Sequence, residues 1–136
     1  MIHVIYGSKG SGKTKRILDL ANETAKNSNG SVVFIDYDDS HIHDIDRSIR
    51  VISAQEYGIV SPKVFTGFIL GISAQDFDLE NIFVDGFLKI VNHSIFELED
   101  MFKKLESFTN SRNITLTISM SGKDDEYPDY LKKYLV

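Results

Sequence analysis

The chain contains no cysteine, has no excess of basic charge and carries no apolar run approaching the ~18 residues that a membrane-spanning helix needs. Each absence removes a class of chemistry. Without cysteine there is no disulfide framework, no thiolate nucleophile and no cysteine-ligated zinc or iron–sulfur centre, so the chemistry rests on oxygen, nitrogen and backbone groups. A formal charge of −5 gives no general basic surface for duplex nucleic acid. The first residues, MIHVIYG, have neither the basic region nor the small-residue cleavage site of a secretory leader, and the expectation is a cytoplasmic protein without a membrane partner. At 136 residues, with 42% hydrophobic and 26% charged content, disorder is excluded and a single domain over residues 1–136 is expected, burying roughly two thirds of its unfolded surface.

Charge is unevenly placed. Residues 1–30 carry five Lys and Arg against two acids, whereas residues 31–100 carry four against thirteen. A basic opening beside an acidic middle suits an anion held next to a divalent cation, and a solvated acidic face gives the same count.

Short β-branched runs alternate with longer segments of helical period, without repeats or linkers. Residues 2–6, 32–35, 50–52, 82–84 and 114–118 read as strands, several of them apolar at nearly every position, as in strands covered on both faces. Helical stripes run from Lys13 to about Asn27, from Ser61-Pro62 through Ile72, from near Ser94 through Phe108, and over Tyr127 to Leu135. Gly67 and Gly71, four apart on the second stripe, suit close packing against a sheet. Parallel strands require crossover helices, so the expected fold is α/β with three layers, a mainly parallel sheet between helices.

The first strand runs into Gly7-Ser8-Lys9-Gly10-Ser11-Gly12-Lys13-Thr14, a full match to G-x-x-x-x-G-K-[ST] between a predicted strand and a predicted helix. In such a loop glycines let successive N–H groups turn inward and the helix start adds partial positive charge, which together cradle phosphate. All eight residues form the expected nucleotide-binding set. Lys13 would reach the β and γ phosphates and stabilise the transferred group, and Thr14 would offer its hydroxyl to Mg²⁺. Downstream, Asn81-Ile82-Phe83-Val84-Asp85 is an apolar strand closing on aspartate, which places Asp85 opposite Thr14 as the second metal ligand; the turn dipeptide Asp85-Gly86 offers the plainer reading.

The SGKT loop, the strands ending Asp36-Tyr37-Asp38 and Ser53-Ala54-Gln55, the Val84-Asp85 strand and the segment Asn113 to Ile118 together resemble the core of RecA-type ATPases over residues 2–121. The resemblance implies a P-loop NTPase fold with a RecA-like strand arrangement, and an acidic residue at the end of the strand after the first helix that polarises the attacking water. Asp38 falls at that position, with Asp36 and Asp39 as neighbours able to serve. The family usually has glutamate there. Position 86 is glycine, so no glutamate follows Asp85, and residues 86–112 are expected to hold one helix. Thr117, Ser119 and Ser121 read as ordinary strand-end polarity, with polar sensing of the γ-phosphate as the alternative. The stretch from Asp36 to Asp46 mixes five acids with His41 and His43; it reads as a solvated connection, with a transition-metal site as the alternative.

The function expected from this reading is Mg²⁺-dependent ATP binding with slow ATPase activity, in a regulatory or motor-type subunit with a possible homo-oligomeric or protein partner. ATP is favoured over GTP because no N-K-x-D guanine signature occurs. The alternatives are a kinase of the P-loop class acting on a nucleoside or other small molecule, and a nucleotide-binding scaffold that does not hydrolyse.

Overall fold

The computed structural model describes residues 1–136 and alternates strand and helix along most of the chain. The strands are β1 (Ile2–Gly7), β2 (Ser31–Asp36), β3 (Arg50–Ser53), β4 (Leu79–Val84) and β5 (Thr115–Ser121). The helices are α1 (Lys13–Asn27), α2 (Pro62–Gln75), α3 (Phe87–Val91) and α4 (Glu99–Arg112), with 3₁₀ turns at Ile42–Asp44, Ile95–Glu97 and Asp129–Tyr134. All five strands pair in parallel in the order β1-β5-β4-β2-β3. One strand, β5, therefore separates the strand that feeds the glycine-rich loop from the strand that ends before Asp85.

Side chains alternate across the sheet and are buried on both faces. Val33 and Ile35 join a cluster of 25 buried residues that includes Phe65 and Ile69 of α2, Phe87 of α3 and Phe102 and Leu105 of α4. Val32 and Phe34 point the other way, into a cluster of 8 with Ile17 and Ala21 of α1 and with Ile45 and Ile49. This is a five-stranded, all-parallel sheet flanked by helices, compatible with three layers. No helix is long and apolar enough to cross a membrane.

Among the α-helices, only α2 starts on a side-chain cap. Ser61 accepts a hydrogen bond from the Val64 amide at 3.2 Å and Pro62 opens α2, the arrangement that caps a helix start. Three expectations change. The single helix expected between β4 and β5 is two, because Asn92 in the left-handed conformation (φ 55°) stops α3 after five residues and the Ser94 hydroxyl turns the chain into a 3₁₀ segment before α4. The terminal stripe forms a 3₁₀ turn whose Leu131 and Tyr134 are buried. Gly67 and Gly71 face open space, so neither is there to let a helix approach the sheet.

Phe102 is fully buried at the centre of the larger cluster, with its ring 6.0 Å from that of Phe87, 5.7 Å from Tyr130 and 5.4 Å from Tyr134. It ties α4 to both α3 and the C-terminal turn. Phe102→Ala removes the shared ring and leaves a cavity, and is expected to lower the unfolding free energy in urea by about 3–5 kcal/mol. A loss below about 1 kcal/mol would show that this packing does not hold the layer together.

Candidate functional site

The ends of a parallel sheet's strands lie together, and at the carboxyl ends the polar residues follow directly on apolar ones. Val84 pairs with Ile118, Ile35 with Val84, and Asp36 with Ser53, so one step further Ser119, Asp85 and Asp36 stand side by side on β5, β4 and β2. They share the α1 face with Phe34, Phe83 and Thr117, two residues earlier on each strand.

The glycine-rich loop, residues 7–14, lies against the Asp85 and Ser119 members of this row. Gly10 (φ 83°) and Gly12 (φ 87°) adopt left-handed backbone that a side chain would strain. Ser11 donates its amide to the Ser8 carbonyl at 3.2 Å, while the amides of Gly12, Lys13 and Thr14 have no partner within the chain. The first turn of α1 has no side-chain cap and no acid, and it carries Lys13, Lys15 and Arg16. Cations at a helix start are unfavourable by themselves; here Lys15 pairs with Asp19 at 2.7 Å and Arg16 donates to the Val136 carbonyl at 3.5 Å. The Lys13 ammonium donates to the Ser8 carbonyl at 2.7 Å and lies 3.4 Å from the Ser11 hydroxyl. A cavity of about 410 Å³ opens here, lined by loop residues that include Gly12, Lys13 and Thr14 and by Asp85, Gly86 and Ser119. A wider depression of about 560 Å³ on the outside of α1 draws its lining only from Gly12 to Glu23, and gathers nothing from the strand ends.

Asp85 is the hub. It is only 6% exposed, and each carboxylate oxygen has a partner: the Thr14 hydroxyl donates to Oδ2 at 3.0 Å and the Ser119 hydroxyl to Oδ1 at 2.5 Å. Ser119 in turn accepts from the Gly86 amide at 3.1 Å. The structure thus brings Lys13, Thr14 and Asp85 into one cavity.

Asp36, the last residue of β2, is 5% exposed. Its Oδ1 accepts the Tyr37 amide at 2.8 Å and its Oδ2 meets His41 Nδ1 at 2.7 Å. Donor atoms of Asp36, His41 and Asp85 all lie within 4.8 Å of one another. Burial pushes the Asp36 carboxyl above its usual range, against the opposing pull of the His41 hydrogen bond. That same bond raises His41 above the ordinary imidazole value. Asp38 lies two residues beyond the end of β2; its carboxylate accepts the Ser40 amide at 3.0 Å, and the Ser40 bonds hold it below the usual carboxylate range. Asp39 is exposed. The carboxylate that stands beside Asp85 is therefore Asp36.

In the sequence Ser119 reads as strand-end polarity or a phosphate sensor, and His41 as part of a solvated connection or a metal site; neither reading names the partner that each has here. The alternation of Thr117 and Ser119 on one face of a strand beside Asp85 is the signal that marks the first. For the second, the mix of acids and histidines from Asp36 to Asp46 offers a transition-metal site as the alternative, while nothing in the spacing singles out His41 with Asp36. No protein-family model and no curated protein matches the chain.

The Asp36–His41 pair gives a pH dependence with a definite sign. A raised histidine pKa contributes stability that is fully present below the ordinary value of 6.5 and is lost as pH rises through the folded-state value. In chelator-containing buffer, the stability advantage of the wild type over His41→Gln is expected to shrink as pH rises from about 6 to about 9. Urea midpoints at the two pH values measure it; an advantage that is constant or grows would mean the pair does not charge on folding.

Proposed function

We propose that the chain binds Mg²⁺-ATP in the cavity under the glycine-rich loop and hydrolyses it slowly. The observation that carries this reading is the Thr14 hydroxyl at 3.0 Å from Asp85, 71 residues away, in the cavity that Lys13 also lines. Two hard oxygen donors at this place fit Mg²⁺, which takes one or two protein ligands and completes its octahedron with water and phosphate oxygens. When bound, the ion supplies charge neutralisation between the phosphates.

The residues of the chain would divide the remaining work. The free amides of Gly12, Lys13 and Thr14 and the start of α1 face the phosphates, and the Lys13 ammonium exchanges its carbonyl contact for a phosphate oxygen, where charge builds during transfer. Ser119 keeps Asp85 oriented, since its hydroxyl donates to one oxygen and leaves the other toward Thr14. Slow turnover fits the carboxylates nearby: Gly86 provides none, Asp36 accepts the Tyr37 amide and meets His41, and Asp38, which the RecA resemblance assigns to the attacking water, accepts the Ser40 amide on Oδ1 and is one methylene shorter than the usual glutamate. General-base assistance there is worth about 10²- to 10⁴-fold when the geometry is good, and the shorter reach of Asp38 realises only part of it.

Calorimetric titration with ATP, with and without Mg²⁺, followed by single-turnover phosphate release, tests the proposal. Lys13→Ala removes a charge-assisted hydrogen bond of about 1.5–3 kcal/mol and is expected to weaken ATP binding by roughly tenfold to a hundredfold. Unchanged affinity would remove the phosphate role of the loop. Asp85→Asn is expected to abolish the Mg²⁺-dependent part of the affinity and leave the metal-free part nearly intact; full retention of the Mg²⁺ enhancement would reassign the metal to another carboxylate.

A further inference from the structure

We propose that Asp36, His41 and Asp85 form a binding site for a divalent first-row transition ion, with Mn²⁺ as its simplest occupant. The site shares Asp85 with the nucleotide reading but does not rest on it, because no nucleotide group contributes a donor.

Three parts of the chain deliver the donors: the end of β2, the residue that opens the 3₁₀ turn at Ile42, and the residue after β4. An ion with bonds of about 2.1 Å holds its donors about 3 Å apart when adjacent and about 4.2 Å apart when opposite. The Asp36–His41 separation of 2.7 Å, a hydrogen bond that an ion would replace, and the overall limit of 4.8 Å bracket that span, so an ion would spread the first pair slightly and draw the most distant donors together.

Electrostatics argues in the same direction. Asp36 and Asp85 are two carboxylates, both more than nine-tenths buried, converging on one point. Like charges so placed repel in a medium that screens poorly, and a divalent cation between them offsets both the repulsion and the desolvation. The ammonium of Lys13 is committed to the loop and Lys89 lies over the Tyr37 ring at 3.9 Å, which leaves His41 as the group that meets Asp36 directly.

The donor set also selects the ion. Mg²⁺ prefers oxygen and gives up its water reluctantly, whereas an imidazole nitrogen with two carboxylates suits transition ions that accept nitrogen and oxygen together. Outer contacts fix the ligands as such sites require: the Tyr37 amide holds one oxygen of Asp36, and the Thr14 and Ser119 hydroxyls hold Asp85. The His41 side chain, 32% exposed, gives the ion a path from solvent.

The test uses the full chain without nucleotide, titrated with Mn²⁺ and followed by electron paramagnetic resonance, with pulsed measurement of ¹⁴N coupling to the bound ion. The expected result is one Mn²⁺ per chain, held at least about tenfold more tightly than Mg²⁺ and coupled to one imidazole nitrogen. His41→Ala should weaken Mn²⁺ binding at least about tenfold and erase the coupling, while His43→Ala, two residues away, changes neither. The wild-type coupling decides the matter even if His41→Ala fails to fold. Absence of Mn²⁺ binding, Mn²⁺ bound without nitrogen coupling, or coupling that survives in folded His41→Ala would overturn the site. None of these outcomes touches the ATP titration, whose failure would equally leave this site standing.

Discussion

A carboxylate taken out of water has to be repaid in hydrogen bonds, and the fold around Asp85 is organised by that requirement. An unpartnered buried charge costs several kcal/mol, a large share of the stability of a domain this size. Asp85 meets the cost with hydroxyls from the first turn of α1 and from β5, 71 and 34 residues distant. In the observed order, with β5 between β1 and β4 and all three running the same way, the carboxyl ends share an edge and both bonds form there. The loop between β1 and α1 brings Thr14 across β5 to Asp85. Packing of the apolar strand residues and satisfaction of one polar group thus select the same topology, the agreement between levels that marks a foldable sequence.

Much of this arrangement was legible in the sequence, and the gaps have physical causes. Helix α1 spans the residues its stripe of Ile17, Leu18, Ala21 and Ala25 indicates, because a period of 3.6 over four turns is hard to satisfy otherwise. The strands stood out as near-continuous apolar runs because both faces of a parallel sheet are covered. Helix α3 was not legible, since five residues contain a single apolar repeat, and its two ends depend on left-handed backbone at Gly86 and Asn92 that no periodicity records. The end of β5 was read three residues early for a related reason: in Ser119-Met120-Ser121 only Met120 enters the apolar core, and a mixed triplet looks like a loop.

For the site, the loop and Asp85 carried their own signatures, a glycine pattern and an apolar run ending in acid. Asp36, Asp38 and Asp39 are the same letter in the same stretch, and nothing but burial separates them. Asp36 is the one still inside the strand; the other two follow after the chain has turned away, and Asp38 closes on Ser40. His41 comes back to Asp36 because residues 37–40 form bends and a turn, a route with no fixed period and hence no sequence mark.

The placement of Ser119, Asp85 and Asp36 on one face links strand register to chemistry. Each follows two residues after a side chain that packs or lies under α1, and α1 begins only at Lys13, so it is the loop that lies against Asp85 and Ser119. A slip of β4 by one residue would turn Asp85 to the face covered by α2, α3 and α4, among the 25 apolar residues there, and would aim Val84 at the loop. The buried charge would then lose Thr14 and Ser119 together. Register in this sheet is therefore held from two sides, by apolar residues that need the larger cluster and by carboxylates that are tolerable only on the α1 face. The buried carboxylates that line this edge are the same residues that make a shifted sheet unstable.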